Sequence, residues 1–230
     1  MTHQKYNKFY FLHIPKTGGR FINMNIIEPI RNYLEENNIE VYPMGDNILQ
    51  PNHDNWNTNF IDENTYIMTI FRDPAKRTVS QFIETEGGSP DFKEKNNVDY
   101  FLKWVKETVF TIDPQCKCLL VEKSIYDAQE SDYNFVIDKN KLKQKLDRIN
   151  LFLKHQKMNY KYCENIQKKI TKDLGLNVYK KSGNIYNVGF SNINSQILYN
   201  KLNIKQIDYL YQNSAIDSEI YFSIIKETNV

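Results

Sequence analysis

The chain has 230 residues, a formal net charge of +2 and a hydrophobic fraction of 40%. That is enough length for one sizeable core, and too much apolar content for a disordered chain. A charge this close to zero excludes a polycation that binds nucleic acid through bulk electrostatics, so any anion site must come from local placement. No apolar run of signal length opens the sequence, and none approaches the roughly 20 residues of a membrane span. The expectation is a cytoplasmic protein without a membrane span. Cys116, Cys118 and Cys163 are odd in number, and Cys116-x-Cys118 has no matching second pair. Reduced, buried thiols are expected, and no metal site.

Residues 8–13 read as a buried strand. Gly18-Gly19 then opens a helix in which Ile22, Ile26, Ile30 and Leu34 repeat at i, i+4, with Phe21 and Ile27 alongside. Pro29 should kink or split that helix, because it lacks an N–H and crowds the preceding turn. Residues 39–42 form a second short strand ended by Pro43, followed by a polar loop to about residue 60. Residues 65–71, Thr-Tyr-Ile-Met-Thr-Ile-Phe, are a third strand, with Pro74 placed to start the next helix. Further helices are predicted at 97–110 and 115–122, a fourth strand at 149–153, and a helix that stops at Gly175. Residues 176–192 read as loop or irregular strand, and helices from about 194 finish the chain. Strand, loop and helix alternate twice in the first 90 residues. This predicts an α/β fold, with a small central parallel sheet flanked by helices and a helical C-terminal part. No repeat or linker divides the chain, so one domain is expected over 1–230.

Two loops carry anion chemistry at strand ends. The first is Pro15-Lys16-Thr17-Gly18-Gly19-Arg20-Phe21. Its glycines admit close backbone approach, and a helix start presents unpaired N–H groups to an anion. Lys16 precedes the glycines, so this is not the G-x-x-x-x-G-K-[ST] loop, in which Lys follows them. The second loop begins at Arg72-Asp73-Pro74 and leads into a helix carrying Ser80. Arg72 sits at the strand tip, where its planar fork suits a phosphate. A ligand touching both loops needs two separate anionic groups.

HIPKTGG (13–19) followed by FRDPAKRTVSQF (71–82) resembles the sulfotransferases that use 3′-phosphoadenosine 5′-phosphosulfate (PAPS). The carbohydrate branch that includes heparan sulfate 2-O-sulfotransferases is the closer match. The resemblance implies a P-loop-like three-layer fold and transfer of a sulfuryl group from PAPS to a carbohydrate hydroxyl, with adenosine 3′,5′-bisphosphate released. It places Lys16, Thr17, Gly18, Gly19, Arg20 and Phe21 on the 5′-phosphosulfate, and Arg72 and Ser80 on the 3′-phosphate. Arg20 stands where the family usually has Thr or Ser. Weaker likenesses follow at Asp113–Leu120 and at Asp217-Ser218-Glu219-Ile220-Tyr221. The segment Asn187–Asn192, with Ser191, lies where the family has a loop near the nucleotide.

Lys16 is the natural group to neutralise the leaving oxygen. The family branch keeps a catalytic His between its second and third strands, and here Asn52-His53 occupies that interval. A neutral imidazole accepts a proton at cellular pH. His53 is therefore the expected base, with Asp54, Glu84 and Glu86 as carboxylate alternatives. His13 reads as a positioning or core residue, His155 as a surface residue, and His3 belongs to a frayed terminus. Trp56 and Trp104 read as core before sugar platforms. Two other readings remain at this point. One is a kinase-like nucleotide transferase, although the chain lacks its Lys-after-glycine loop. The other is a non-catalytic nucleotide- or glycan-binding module.

Overall fold

The computed structural model describes residues 5–42, 56, 60–87, 97–108, 111–122, 129–154, 160–177 and 193–227. Four strands form one sheet: β1 (Lys8–Leu12), β2 (Glu40–Tyr42), β3 (Thr65–Phe71) and β4 (Leu151–Lys154). Their order is β2-β1-β3-β4, and every neighbouring pair is parallel. All seven residues of β3 are buried, as a central strand covered on both faces requires.

Alternation along the strands divides the core. Phe9, Phe11, Tyr66, Met68 and Ile70 point to one face, and Tyr10, Leu12, Ile67 and Phe71 to the other. The first face is covered by the helical run after β1. It comprises α1 (Gly19–Ile22), a π-helical turn (Asn23–Ile27) and α2 (Glu28–Glu36). Its ladder Ile22, Ile26, Ile30 and Leu34 is fully buried there. A second helix, α7 (Tyr160–Asp173), packs beside it through Cys163 and Ile170.

Pro29 marks the expected irregularity, and the physical cause is visible. With no N–H at Pro29, the carbonyl of Asn25 loses its usual i+4 donor. The helix widens into a π turn immediately before the proline. Gln167 of α7 then donates from Nε2 to the Asn25 carbonyl at 3.0 Å. The helix is thus loosened rather than broken, and its freed acceptor is satisfied from the neighbouring element.

After β3, α3 (Pro74–Glu86) starts on Pro74, with Asp73 capping the Lys76 N–H at 3.0 Å. Its apolar side, Ala75, Val79, Phe82 and Ile83, packs on α4 (Val98–Glu107), α8 (Ile193–Lys201) and α9 (Ile204–Asn213). The second sheet face is covered by α5 (Pro114–Leu120), α6 (Lys139–Asp147) and α10 (Ala215–Glu227). Helix α6 has no counterpart in the sequence reading. It is lysine-rich and buries fully only Leu142, so its periodic apolar signal is thin. The fourth strand lies at 151–154, shifted towards the C-terminus from 149–153. Gly175, at φ 73°, ends α7 where a left-handed residue is needed. The three cysteines are free and buried, and burial pushes all three thiols up. No helix among the described residues is long and apolar enough to cross a membrane.

Candidate functional site

The strand order reverses between β1 and β3. The chain goes from β1 to one side of the sheet and from β3 to the other. The carboxyl ends of strands that flank such a reversal are the usual ligand position in open parallel sheets. Leu12 pairs with Thr69 at that end, and the Thr69 hydroxyl donates to the Leu12 carbonyl at 2.9 Å. Both sequence loops leave the sheet here.

The first loop turns through left-handed backbone at Lys16 (φ 68°) and Gly18 (φ 96°). Gly18 occupies the helix N-cap without any side-chain cap, so the first-turn N–H groups are not capped by a side chain. Gly19 is required for a different reason. A Cβ there would lie 1.8 Å from the His13 ring. His13 is buried and stacks on Phe11 at 5.6 Å, so its imidazole is a fixed wall behind the loop. Thr17 is fully buried and its hydroxyl donates to the Ile14 carbonyl at 2.7 Å. That proton serves the loop itself. Phe21 packs on the sheet core.

Arg72 joins the two loops. Its Nη1 donates to the Lys16 carbonyl at 3.0 Å. Gln115, fully buried on α5, clamps the Arg72 backbone from both sides. Its Oε1 accepts from the Arg72 N–H at 2.8 Å, and its Nε2 donates to the Arg72 carbonyl at 2.9 Å. Burial pushes the Arg72 guanidinium down to about 10, against the pull of Asp73. Ser80 is buried on α3, and Lys16 Nζ meets Glu84 one turn further along at 2.8 Å.

Arg77 is the residue the sequence reading missed. It lies on α3 three residues before Ser80 and seven before Glu84, hence on the same face. It is 3% exposed, and its Nε donates to the Pro15 carbonyl at 3.2 Å. This spacing was the available signal. Arg20 Nε, Arg72 Nε and Arg77 Nη1 are all buried, and none has a hydrogen-bond partner among the described residues. Three guanidinium groups thus keep unused donors around one loop. A buried donor without an acceptor is costly, and an anion would supply acceptors.

The two weaker sequence likenesses meet behind this site as a reciprocal cap. Asp217 accepts from the N–H groups of Gln115 (2.9 Å) and Cys116 (2.8 Å) at the start of α5. Asp113 accepts from those of Ile216 (2.8 Å) and Asp217 (2.9 Å) at the start of α10. Burial pushes the Asp217 carboxyl up to about 6, and the donated hydrogen bonds work against this. Tyr211 donates to Asp73 Oδ2 at 2.9 Å, tying α9 to the tip of β3.

Of the site residues expected from sequence, Lys16, Thr17, Gly18, Gly19, Arg20, Phe21, Arg72 and Ser80 fall on these two loops and the helices they open. Glu84 is brought to Lys16. Glu86 faces Tyr100, whose hydroxyl donates to it at 3.3 Å. His53, Asp54, His155 and Ser191 lie outside the described residues. Trp56 and Trp104 are 4% and 9% exposed, which makes both core residues rather than open stacking platforms. No metal-holding cluster of His, Cys, Asp or Glu occurs among the described residues. No protein-family model matches the chain, and no curated protein or solved structure is significantly similar to it.

Proposed function

We propose that the chain is a PAPS-dependent sulfotransferase with a P-loop-like three-layer fold, acting on a hydroxyl acceptor that is most simply a carbohydrate. The observation that carries this reading is the pairing of two cationic loops at one strand-order reversal. Two anion-binding places, on adjacent strand ends, suit a nucleotide with phosphate at both its 3′ and 5′ positions. A single phosphate would leave one loop without purpose. The unused nitrogens of Arg20 and Arg72 fit such a ligand.

On this reading PAPS supplies an activated sulfuryl group, and the protein supplies position and charge. Gly18 and Gly19 open the backbone, and the first-turn N–H groups of the helix bind the 5′-phosphosulfate. Lys16 neutralises negative charge that grows on the leaving oxygen. Its ion pair with Glu84 holds the ammonium beside the loop until that charge appears. Arg72 and Ser80 bind the 3′-phosphate, with Gln115 fixing the Arg72 backbone. Ser191 belongs to the same nucleotide site by resemblance. His53 takes the acceptor proton as general base, and Glu84 is the carboxylate paired with Lys16.

The kinase-like alternative has less support, because Lys16 precedes the glycines and none of the four described strands has an Asp or Glu as its last residue. The direct test is release of adenosine 3′,5′-bisphosphate from PAPS across a panel of carbohydrate acceptors. His53→Ala should stay folded, bind the nucleotide, and transfer roughly a hundred- to ten-thousand-fold more slowly. The wild-type rate should fall as pH drops through about 6–7, and that limb should vanish in the variant. Activity retained in His53→Ala and lost in Glu84→Gln would move the base to Glu84.

A further inference from the structure

Beside the first loop, at Pro15, lies a cavity of about 210 Å³. Pro15, Arg77, Gln81, Pro114, Lys117 and Tyr133 line it. Two of these are buried cations: Arg77 is 3% exposed and Lys117 is 4% exposed. Arg77 spends Nε on the Pro15 carbonyl, while its Nη1 is buried with no hydrogen-bond partner among the described residues. Lys117 has its ammonium 5.8 Å from the Phe135 ring, and no carboxylate among the described residues lies within ion-pair distance.

The neighbouring carboxylates are otherwise engaged. Asp217 and Asp113 accept from helix N–H groups, and Glu84 pairs with Lys16. Asp113 and Asp217 attract Lys117, and Asp217 and Glu84 attract Arg77, but none of them pairs directly with either cation, and the buried Arg77 Nη1 still lacks an acceptor that an oxyanion would supply.

We propose that this cavity is an oxyanion site, bordering the first loop at Pro15 but distinct from its glycine turn, in which Arg77 Nη1 and the Lys117 ammonium hold a sulfate, phosphate or carboxylate group. Its volume equals roughly seven waters' share of liquid, more than a bare oxyanion needs. The rest of the wall includes the apolar Pro15, Pro114 and Cys118 beside Gln81 and Tyr133, which suits a small organic group bearing the anion. The ligand is therefore either a free oxyanion or the charged substituent of a larger molecule. Burial pushes the Lys117 amine and the Arg77 guanidinium down, the strain that a bound anion would relieve. The inference goes beyond the sulfuryl-transfer reading and does not rest on it, since neither Arg77 Nη1 nor Lys117 is assigned to the nucleotide.

The test is calorimetry and thermal shift with inorganic sulfate at constant ionic strength, on the wild type, Lys16→Ala and Lys117→Met. Sulfate should occupy a site in the wild type that Lys16→Ala keeps and that Lys117→Met weakens at least tenfold. Glucose 6-sulfate binding more tightly than sulfate would identify a substituent as the occupant; equal binding would identify the free ion. Loss of sulfate binding in Lys16→Ala, full retention in Lys117→Met, or no binding to the wild type would each overturn the proposal. If Lys117→Met does not fold, selenate soaked into wild-type crystals replaces it. An anomalous peak at Arg77 Nη1 supports the site, and a peak at the glycine loop alone, or none, overturns it.

Discussion

Gly19 shows how little freedom the first loop has. Its α carbon faces the His13 ring, and even one methyl group there would overlap the imidazole. His13 cannot swing away freely, because it is buried against Phe11. Gly19→Ala should therefore cost about 1–3 kcal/mol in urea unfolding, the usual range for overpacking, and should weaken nucleotide binding as the loop shifts. Unchanged stability together with unchanged affinity would show that the imidazole has room to yield. Lys16 is constrained in another way, held by Glu84 at 2.8 Å. If it serves the leaving oxygen, Lys16→Ala should reduce turnover more than cofactor affinity, because the charge it meets grows in the transition state. Steady-state kinetics would contradict this by showing a normal maximal rate with only a raised Michaelis constant.

The reciprocal carboxylate caps between α5 and α10 carry a pH signature. The Asp217 carboxyl is pushed up to about 6, against an ordinary value near 4 in the unfolded chain. Between those two pH values the folded protein keeps a proton that the unfolded chain has released. Stability contributed by this group is therefore fully present below about pH 4 and is lost as pH rises through about 6. The Asp113 carboxyl is also raised by burial and acts in the same direction. Asp217→Asn removes the titration, so unfolding free energy measured from pH 4 to 7 should slope less than in the wild type. The amide offers one oxygen where the carboxylate offers two, so a backbone N–H of Gln115 or Cys116 loses its acceptor. That should cost about 1–3 kcal/mol at pH 7. Parallel pH profiles for the two proteins would place the titration on another group.

For the molecule as a whole, the sheet and the main helices could be read from the sequence because their signals are local. Thr65–Phe71 is a continuous apolar run, and the Ile22–Leu34 ladder has a helical period. Helix α6 could not be read, since its nine residues bury fully only Leu142. Parts of the site follow the same division. Lys16, Arg72 and Ser80 stand out as charged or hydroxyl residues at strand ends. Gln115 and Asp217 do not, because their work depends on contacts across 43 and about 100 residues of chain. Arg77 hides in a basic run, Lys76-Arg77, where burial alone separates the buried arginine from its exposed neighbour. His53 is proposed as the base only through resemblance to a family and not through any local pattern.

That two cationic loops bind one nucleotide by both ends is best tested by calorimetry with adenosine 3′,5′-bisphosphate, AMP and ATP. The wild type should prefer the bisphosphate clearly over both others. Arg72→Ala should lose tens to hundreds of fold in bisphosphate affinity, about 2–4 kcal/mol for a charge-assisted contact. Adenosine 5′-phosphosulfate, which lacks the 3′-phosphate, should lose far less, through the slackened Lys16 carbonyl alone. Equal affinities for the bisphosphate and AMP, or an equal loss for both ligands in Arg72→Ala, would contradict a two-ended nucleotide site.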